Sequence, residues 1–192
     1  FGGMTDKKIS INLHDLGISV LGTTFNGLFN LDTLSLSRNK LSRIDSDTFT
    51  ELVNLTVLNL SYNQLSAIPH LKTLTNLEIL NLENNSIRGT LFSNTFSSLT
   101  KLKQLNLAKN NLETIESHAF NGLASLQSLR LCHNNIGVLQ ADAFRELSDL
   151  KSFEIHYNHY LRVLDANAFN GLANVESLDL EKVFLGYSHI RN

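Results

Sequence analysis

The chain has 192 residues, 42% of them hydrophobic, and a formal net charge of −2, so it carries no long basic stripe of the kind that marks nucleic-acid binding. No apolar run approaches the ~18 residues of a membrane span, and the opening FGGMTDKK lacks the apolar core of a secretion signal. The single cysteine, Cys132, cannot close an internal disulfide, so cysteine usage gives no sign of an oxidising compartment.

Taken in order, the chain repeats itself. A loose first copy starts near Lys8 and places Ile11, Leu13, Ile18, Leu21, Phe25 and Leu28 in frame, with Leu16 where later copies have asparagine. Phe1 fits the start of a trimmed product, and a cap is expected to precede this copy. Regular copies then begin at Leu31, Leu55, Leu77, Leu102, Leu126, Leu150 and Val175. In the clearest of them, residues 102–125, leucines fall at places one, four, six and eleven (Leu102, Leu105, Leu107 and Leu112), Asn110 at place nine, and Phe120 and Leu123 close the unit. The two-residue alternation at places four and six predicts a short strand, its leucines inward and places five and seven outward.

Asn39, Asn63, Asn85, Asn110, Asn134 and Asn158 all stand at place nine. An amide donates and accepts at once, so these side chains are expected to form a ladder that satisfies backbone groups where the chain leaves each strand. Phe25, Phe49, Phe96, Phe120, Phe144 and Phe169 are each followed by leucine three residues on, and are expected to stack on the convex side. The third copy has Leu71 instead, next to the only proline, Pro69, which should flatten or bend the wall there. The copies from Leu77 and Leu150 carry one extra residue each, in outer loops. The eighth puts Val183 at the asparagine place and Phe184 and Tyr187 where polar residues are usual. An exposed apolar end is expected, read either as the cut edge of a longer array or as a docking surface.

Self-similarity at this period is the signature of a leucine-rich solenoid, and the chain resembles the leucine-rich-repeat family in its typical ~24-residue animal extracellular form. The F-x-x-L ending is similar to that of Toll and Toll-like receptor ectodomains and of related secreted immune and guidance proteins. The resemblance implies an α/β fold: a right-handed horseshoe solenoid with a concave parallel β-sheet and loops or short 3₁₀ turns outside. It implies one domain over residues 1–192 of about eight repeats, a fragment of a longer ectodomain. It further implies an extracellular location, secreted or as part of a membrane protein, and recognition of a protein or microbial ligand, with homodimers or heterodimers among its uses. A matrix spacer or a secreted immune or guidance factor fits the same repeats.

Stacking aligns equivalent places about 4.8 Å apart, so surface columns follow from the frame. Place five runs Asn12, Ser35, Asn59, Asn81, Asn106, Arg130, Glu154, Asp179; place seven His14, Ser37, Ser61, Glu83, Ala108, Cys132, His156, Glu181; place eight Asp15, Arg38, Tyr62, Asn84, Lys109, His133, Tyr157, Lys182. Charge, histidine and tyrosine gather in the last three repeats, where tyrosine and arginine suit an interface. Arg130, His133, Glu154, His156, Tyr157 and Glu181, with Tyr62 further along, form the expected ligand-binding patch; the same face also reads as ordinary solvated surface. Asn54, Asn59 and Asn84 head glycosylation sequons, as many as this composition yields by chance. Glycans on Asn59 and Asn84 would push a partner toward the later repeats. Cys132, His156 and Glu181 share a column in the order of a nucleophile, base and acid, yet no oxyanion site or enclosure accompanies them, so no catalytic residue is assigned. Cys132, His133 and His156 have ligand types that suit zinc without the spacing of a structural zinc site. The reading therefore assigns no cofactor, no metal, no enzyme activity and no nucleic-acid partner.

Overall fold

A computed structural model describes residues 7–183 and the backbone strand 189–191, so Phe1, Phe184 and Tyr187 lie outside the described residues. The strands in chain order are β1 (Ile9–Asn12), β2 (Leu31–Ser35), β3 (Val57–Asn59), β4 (Ile79–Asn81), β5 (Arg88–Leu91), β6 (Gln104–Asn106) and β7 (Asn111–Ile115). They continue as β8 (Ser128–Arg130), β9 (Val138–Leu139), β10 (Ser152–Glu154), β11 (Val163–Asp165), β12 (Ser177–Asp179) and β13 (His189–Arg191). One parallel sheet of eight strands runs β1-β2-β3-β4-β6-β8-β10-β12, one strand per coil. Its pairing follows the repeat frame, with Leu58, Leu80, Leu105, Leu129, Phe153 and Leu178 in register. Parallel neighbours need a crossover, and crossovers wind right-handed, so each coil returns behind the sheet.

The place-six side chains Leu60, Leu82, Leu107 and Leu131 are fully buried, and with the place-four leucines they belong to one continuous core. No coil could bury both its neighbours' faces alone, because its leucines are covered only by the coil on either side. At the last described coil Leu178 and Leu180 are 46% and 41% exposed.

The F-x-x-L spacing has a backbone cause. The closing leucine N–H donates to the phenylalanine C=O three residues back: Leu52 to Phe49 (3.1 Å), Leu99 to Phe96 (2.9 Å), Leu123 to Phe120 (3.2 Å) and Leu147 to Phe144 (3.0 Å). Leu74 makes the same bond to Leu71 (3.0 Å), so the turn survives where the ring is missing. The rings stack at centroid distances of 6.3 Å for Phe25–Phe49, 6.1 Å for Phe96–Phe120, 5.5 Å for Phe120–Phe144 and 6.2 Å for Phe144–Phe169. Leu71 thus divides the column in two.

Loops and 3₁₀ turns were expected on the convex side. Its i→i+3 turns are there, and from Arg88 onward a second parallel sheet, β5-β7-β9-β11-β13, is added. No helix occurs among the described residues, and hence none long and apolar enough to cross a membrane.

Close coil packing fixes one glycine in particular. Gly122 has φ +86°, and a Cβ there would stand 2.6 Å from the Ser97 carbonyl oxygen of the preceding coil. Gly122→Ala is expected to cost roughly 1–3 kcal/mol through backbone strain and the forced shift of that carbonyl. Chemical denaturation measures it; no loss would mean that coils four and five are not packed this tightly.

Candidate functional site

The concave face is built from places five, seven and eight. Two of these have structural duties that the sequence pattern hides. At place five, Asn12, Asn59, Asn81, Asn106 and Asp179 each accept the N–H two residues on through their side-chain oxygen, at 2.9–3.1 Å. These are Asx turns, which close the strand end locally. Place eight is a left-handed position throughout: Asp15, Arg38, Tyr62, Asn84, Lys109, His133, Tyr157 and Lys182 all have φ of 54–57°. Most L residues avoid that region, and apart from Asp15, Asn84 and His133 the column holds none of the residues that signal it. Here the side chain is thrown onto the sheet face, across place seven.

That geometry corrects the reading of place seven as open surface. Ser37, Ser61, Ala108 and Cys132 are buried, and Cys132 is only 2% exposed, while side chains at places five and eight bond across this column. Lys109 donates to Glu83 Oε1 (2.8 Å), for example, and Asn106 to Glu83 Oε2 (3.1 Å). Burial pushes the Glu83 carboxyl up, but the bond and charge of Lys109 outweigh it, so the group ionises more readily than an ordinary glutamate.

At place nine the asparagine amides span adjacent coils. Asn110 Nδ2 donates to Leu82 O (3.0 Å) in the coil before and Leu107 O (3.1 Å) in its own, and its Oδ1 accepts Ile87 N–H (3.0 Å). Asn39, Asn63, Asn85, Asn134 and Asn158 repeat the arrangement, all buried.

In the last three coils the predicted residues are only partly assembled. Arg130 Nε donates to Glu154 Oε2 (2.9 Å), so two consecutive coils give up the Asx residue and pair charges instead. Cys132 Sγ points at the same carboxylate oxygen (3.7 Å). Burial raises the Cys132 thiol pKa, against the pull of Arg130. The His133 ring stacks on Tyr157 (4.4 Å, 8°) and meets His156 edge-on (5.7 Å). Burial above all, and then the nearness of His156 and Lys109, lowers the His133 pKa. Lys182 stands over the Tyr157 ring at 4.7 Å and donates to its hydroxyl (3.0 Å).

Three predicted residues are placed otherwise. Glu181 does not join His156 as an orienting acid: His156 Nδ1 lies 2.9 Å from Asp179 Oδ2, while Glu181 is exposed and meets Lys182 Nζ at 3.7 Å. Glu154 and Asp179, at place five, reach the column that Glu181 was expected to serve. Tyr62 sits apart, under the Arg38 guanidinium (4.7 Å). Of the three residues whose ligand types suit zinc, Cys132 and His156 converge with Glu154 and not with His133. The sequons divide: Asn54 and Asn84 are exposed, whereas Asn59 is half-buried and accepts the Ser61 hydroxyl (2.7 Å).

Hollows on the surface are shallow. One of about 160 Å³ lies over the middle strands, lined by Asn81, Gln104, Asn106, Ser128 and Arg130. A larger one of about 360 Å³ lies on the flank. Its polar groups are tied among themselves: Lys8 to Asp32 (2.8 Å), Lys101 to Asn76 (2.7 Å) and Asn54 to the Phe29 carbonyl (2.9 Å).

The architecture is widespread, with 339 matching chains of solved structures, so the fold does not select a ligand. One match is a chain of a TLR13–ssRNA13 complex, with TM-score 0.58 and 23% identity. The match covers 90% of this chain and 36% of that one, so the present chain spans little over a third of that protein's length. No curated protein matches significantly in sequence. The Leucine rich repeat family matches at residues 10–65, 75–135 and 124–182, and its two-copy form at residues 53–94. The chain is a member of the leucine-rich-repeat family.

Proposed function

We propose that the chain is a non-catalytic recognition module of an extracellular protein, docking a folded protein or microbial ligand on the concave face of its last repeats. One observation carries this reading. Arg130 and Glu154 abandon the Asx turn that Asn12, Asn59, Asn81, Asn106 and Asp179 keep, and beside them His133, Tyr157 and Lys182 form a layered stack. A tyrosine held between His133 and Lys182, on the same face as a partly buried arginine, is the composition of an interface hot spot. Resemblance to Toll-type repeats suggests a receptor of innate immunity, with glycans on the exposed Asn54 and Asn84.

Chemistry at Cys132 is disfavoured: the thiol is held protonated by burial, and the open sheet does not exclude water. The TLR13 chain is named in complex with single-stranded RNA. In this chain Arg130 and Lys109 are already paired with Glu154 and Glu83, and the net charge is negative, so a protein surface suits the face better than a polyanion.

The test is a binding screen of the whole chain against a panel of extracellular and microbial proteins, with single-stranded RNA as a further arm. Tyr157→Ala is expected to cost about 2 kcal/mol, roughly thirtyfold in Kd. Arg130→Asn combined with Glu154→Asn is expected to weaken binding while leaving stability unchanged or slightly raised, because both Asx turns return. A matrix spacer would show no binding sensitive to either change. Tight RNA binding with a steep salt dependence would replace the protein ligand.

A further inference from the structure

The groups that pack around Cys132 carry a chemistry that docking does not use. Cys132 Sγ, a Glu154 carboxylate oxygen and a His156 ring nitrogen all lie within 4.8 Å of one another. They come from two adjacent coils, Glu154 and His156 from the same face of one strand end and Cys132 from the equivalent place next door. Cys132 is buried, and His156 Nδ1, although 2.9 Å from Asp179 Oδ2, is shielded from solvent with no aligned hydrogen bond. A carboxylate beside one ring nitrogen is the usual outer partner of a metal-ligating histidine. Two carboxylates, Glu154 and Asp179, flank the spot, and Arg130 takes up part of the charge of the first.

We propose that Cys132, Glu154 and His156 form a zinc-binding site on the concave face. Sulfur, imidazole and carboxylate together are the donor set of this borderline-soft ion, at about 2.0–2.3 Å. The three donors, already within 4.8 Å of one another, draw closer on binding to reach these distances. On binding, the Cys132 S–H bond breaks, sulfur keeps the electron pair and donates it to the metal, and the proton leaves to buffer. Three protein ligands leave one position open, for water or for a side chain of a docked partner. The site needs no partner to exist, so it stands or falls separately from the docking surface.

The experiment titrates the metal-stripped whole chain with zinc chloride and, in parallel, with cobalt(II), with no protein ligand present. One equivalent of zinc is expected to bind, to raise Tm and to protect Cys132 from a thiol reagent. Cobalt is expected to give the near-ultraviolet charge-transfer band of a thiolate ligand. Cys132→Ser should abolish that band and, like Glu154→Gln and His156→Gln, weaken zinc about tenfold or more. Serine occupies the same place in earlier coils, at Ser37 and Ser61, so this variant is expected to fold. Absence of the cobalt band in the parent chain would overturn the assignment, as would zinc binding that Cys132→Ser and His156→Gln leave unchanged.

Discussion

Phe120→Ala is expected to destabilise the chain by about 3–5 kcal/mol, the largest effect of any single side chain considered. The Phe120 ring is buried between Phe96 at 6.1 Å and Phe144 at 5.5 Å, so its removal empties the centre of a column that no neighbouring loop can fill. Phe120→Leu should cost less than half as much, since Leu71 holds the same place in the third copy and is itself buried. Phe169 is half-buried, and its loss should cost less than that of Phe120. Urea unfolding of the three variants would give this order. A loss below about 1 kcal/mol for Phe120→Ala would remove the ring column from the core.

Asn110→Ala is the second. It strips hydrogen bonds from Leu82 O, Leu107 O and Ile87 N at once, in a buried site without room for replacement partners. Ile87 N–H is left without its acceptor, at about 1–3 kcal/mol, whereas Leu82 O keeps the Asn85 amide (3.1 Å) and Leu107 O the Asn134 amide (3.0 Å), so a total of roughly 2–3 kcal/mol is expected. Amide hydrogen exchange resolves the effect by position. Exchange at Ile87 should accelerate most, whereas Leu112, whose N–H is held by Asn134 at 3.0 Å, should change less. Equal acceleration at both amides would mean that the ladder acts globally rather than coil by coil.

These two stacks were legible before any coordinates because each depends on side-chain identity at a fixed period. An inward leucine, a bridging amide and a closing ring recur wherever the backbone makes the same demand. The convex sheet was not legible. Its strands are short, β9 only two residues, and Arg88–Leu91 shows no inside–outside alternation. They form because the leucine layer sets the coils at ladder spacing, a tertiary cause with no local signal. The left-handed turn at place eight was equally hidden, since Arg38, Tyr62, Lys109, Tyr157 and Lys182 are not residues that seek positive φ.

The site was legible as columns but not as contacts. Register put Arg130 beside Glu154 and Cys132 beside His156, and the structure pairs them so. Which acid faces His156 depended on rotamer direction, and the Asp179 side chain reaches it across the strand end while Glu181 turns outward. Burial of Cys132, at an outward place of the frame, is likewise not encoded in the spacing of apolar residues.

The recognition reading is tested most directly by the footprint of a bound partner on backbone amide exchange. Protection is expected over residues 130–133, 154–157 and 179–182, where Arg130, Tyr157 and Lys182 project from consecutive coils. Protection confined to the convex strands, such as Arg88–Leu91 and Asn111–Ile115, with those concave segments unchanged, would contradict it.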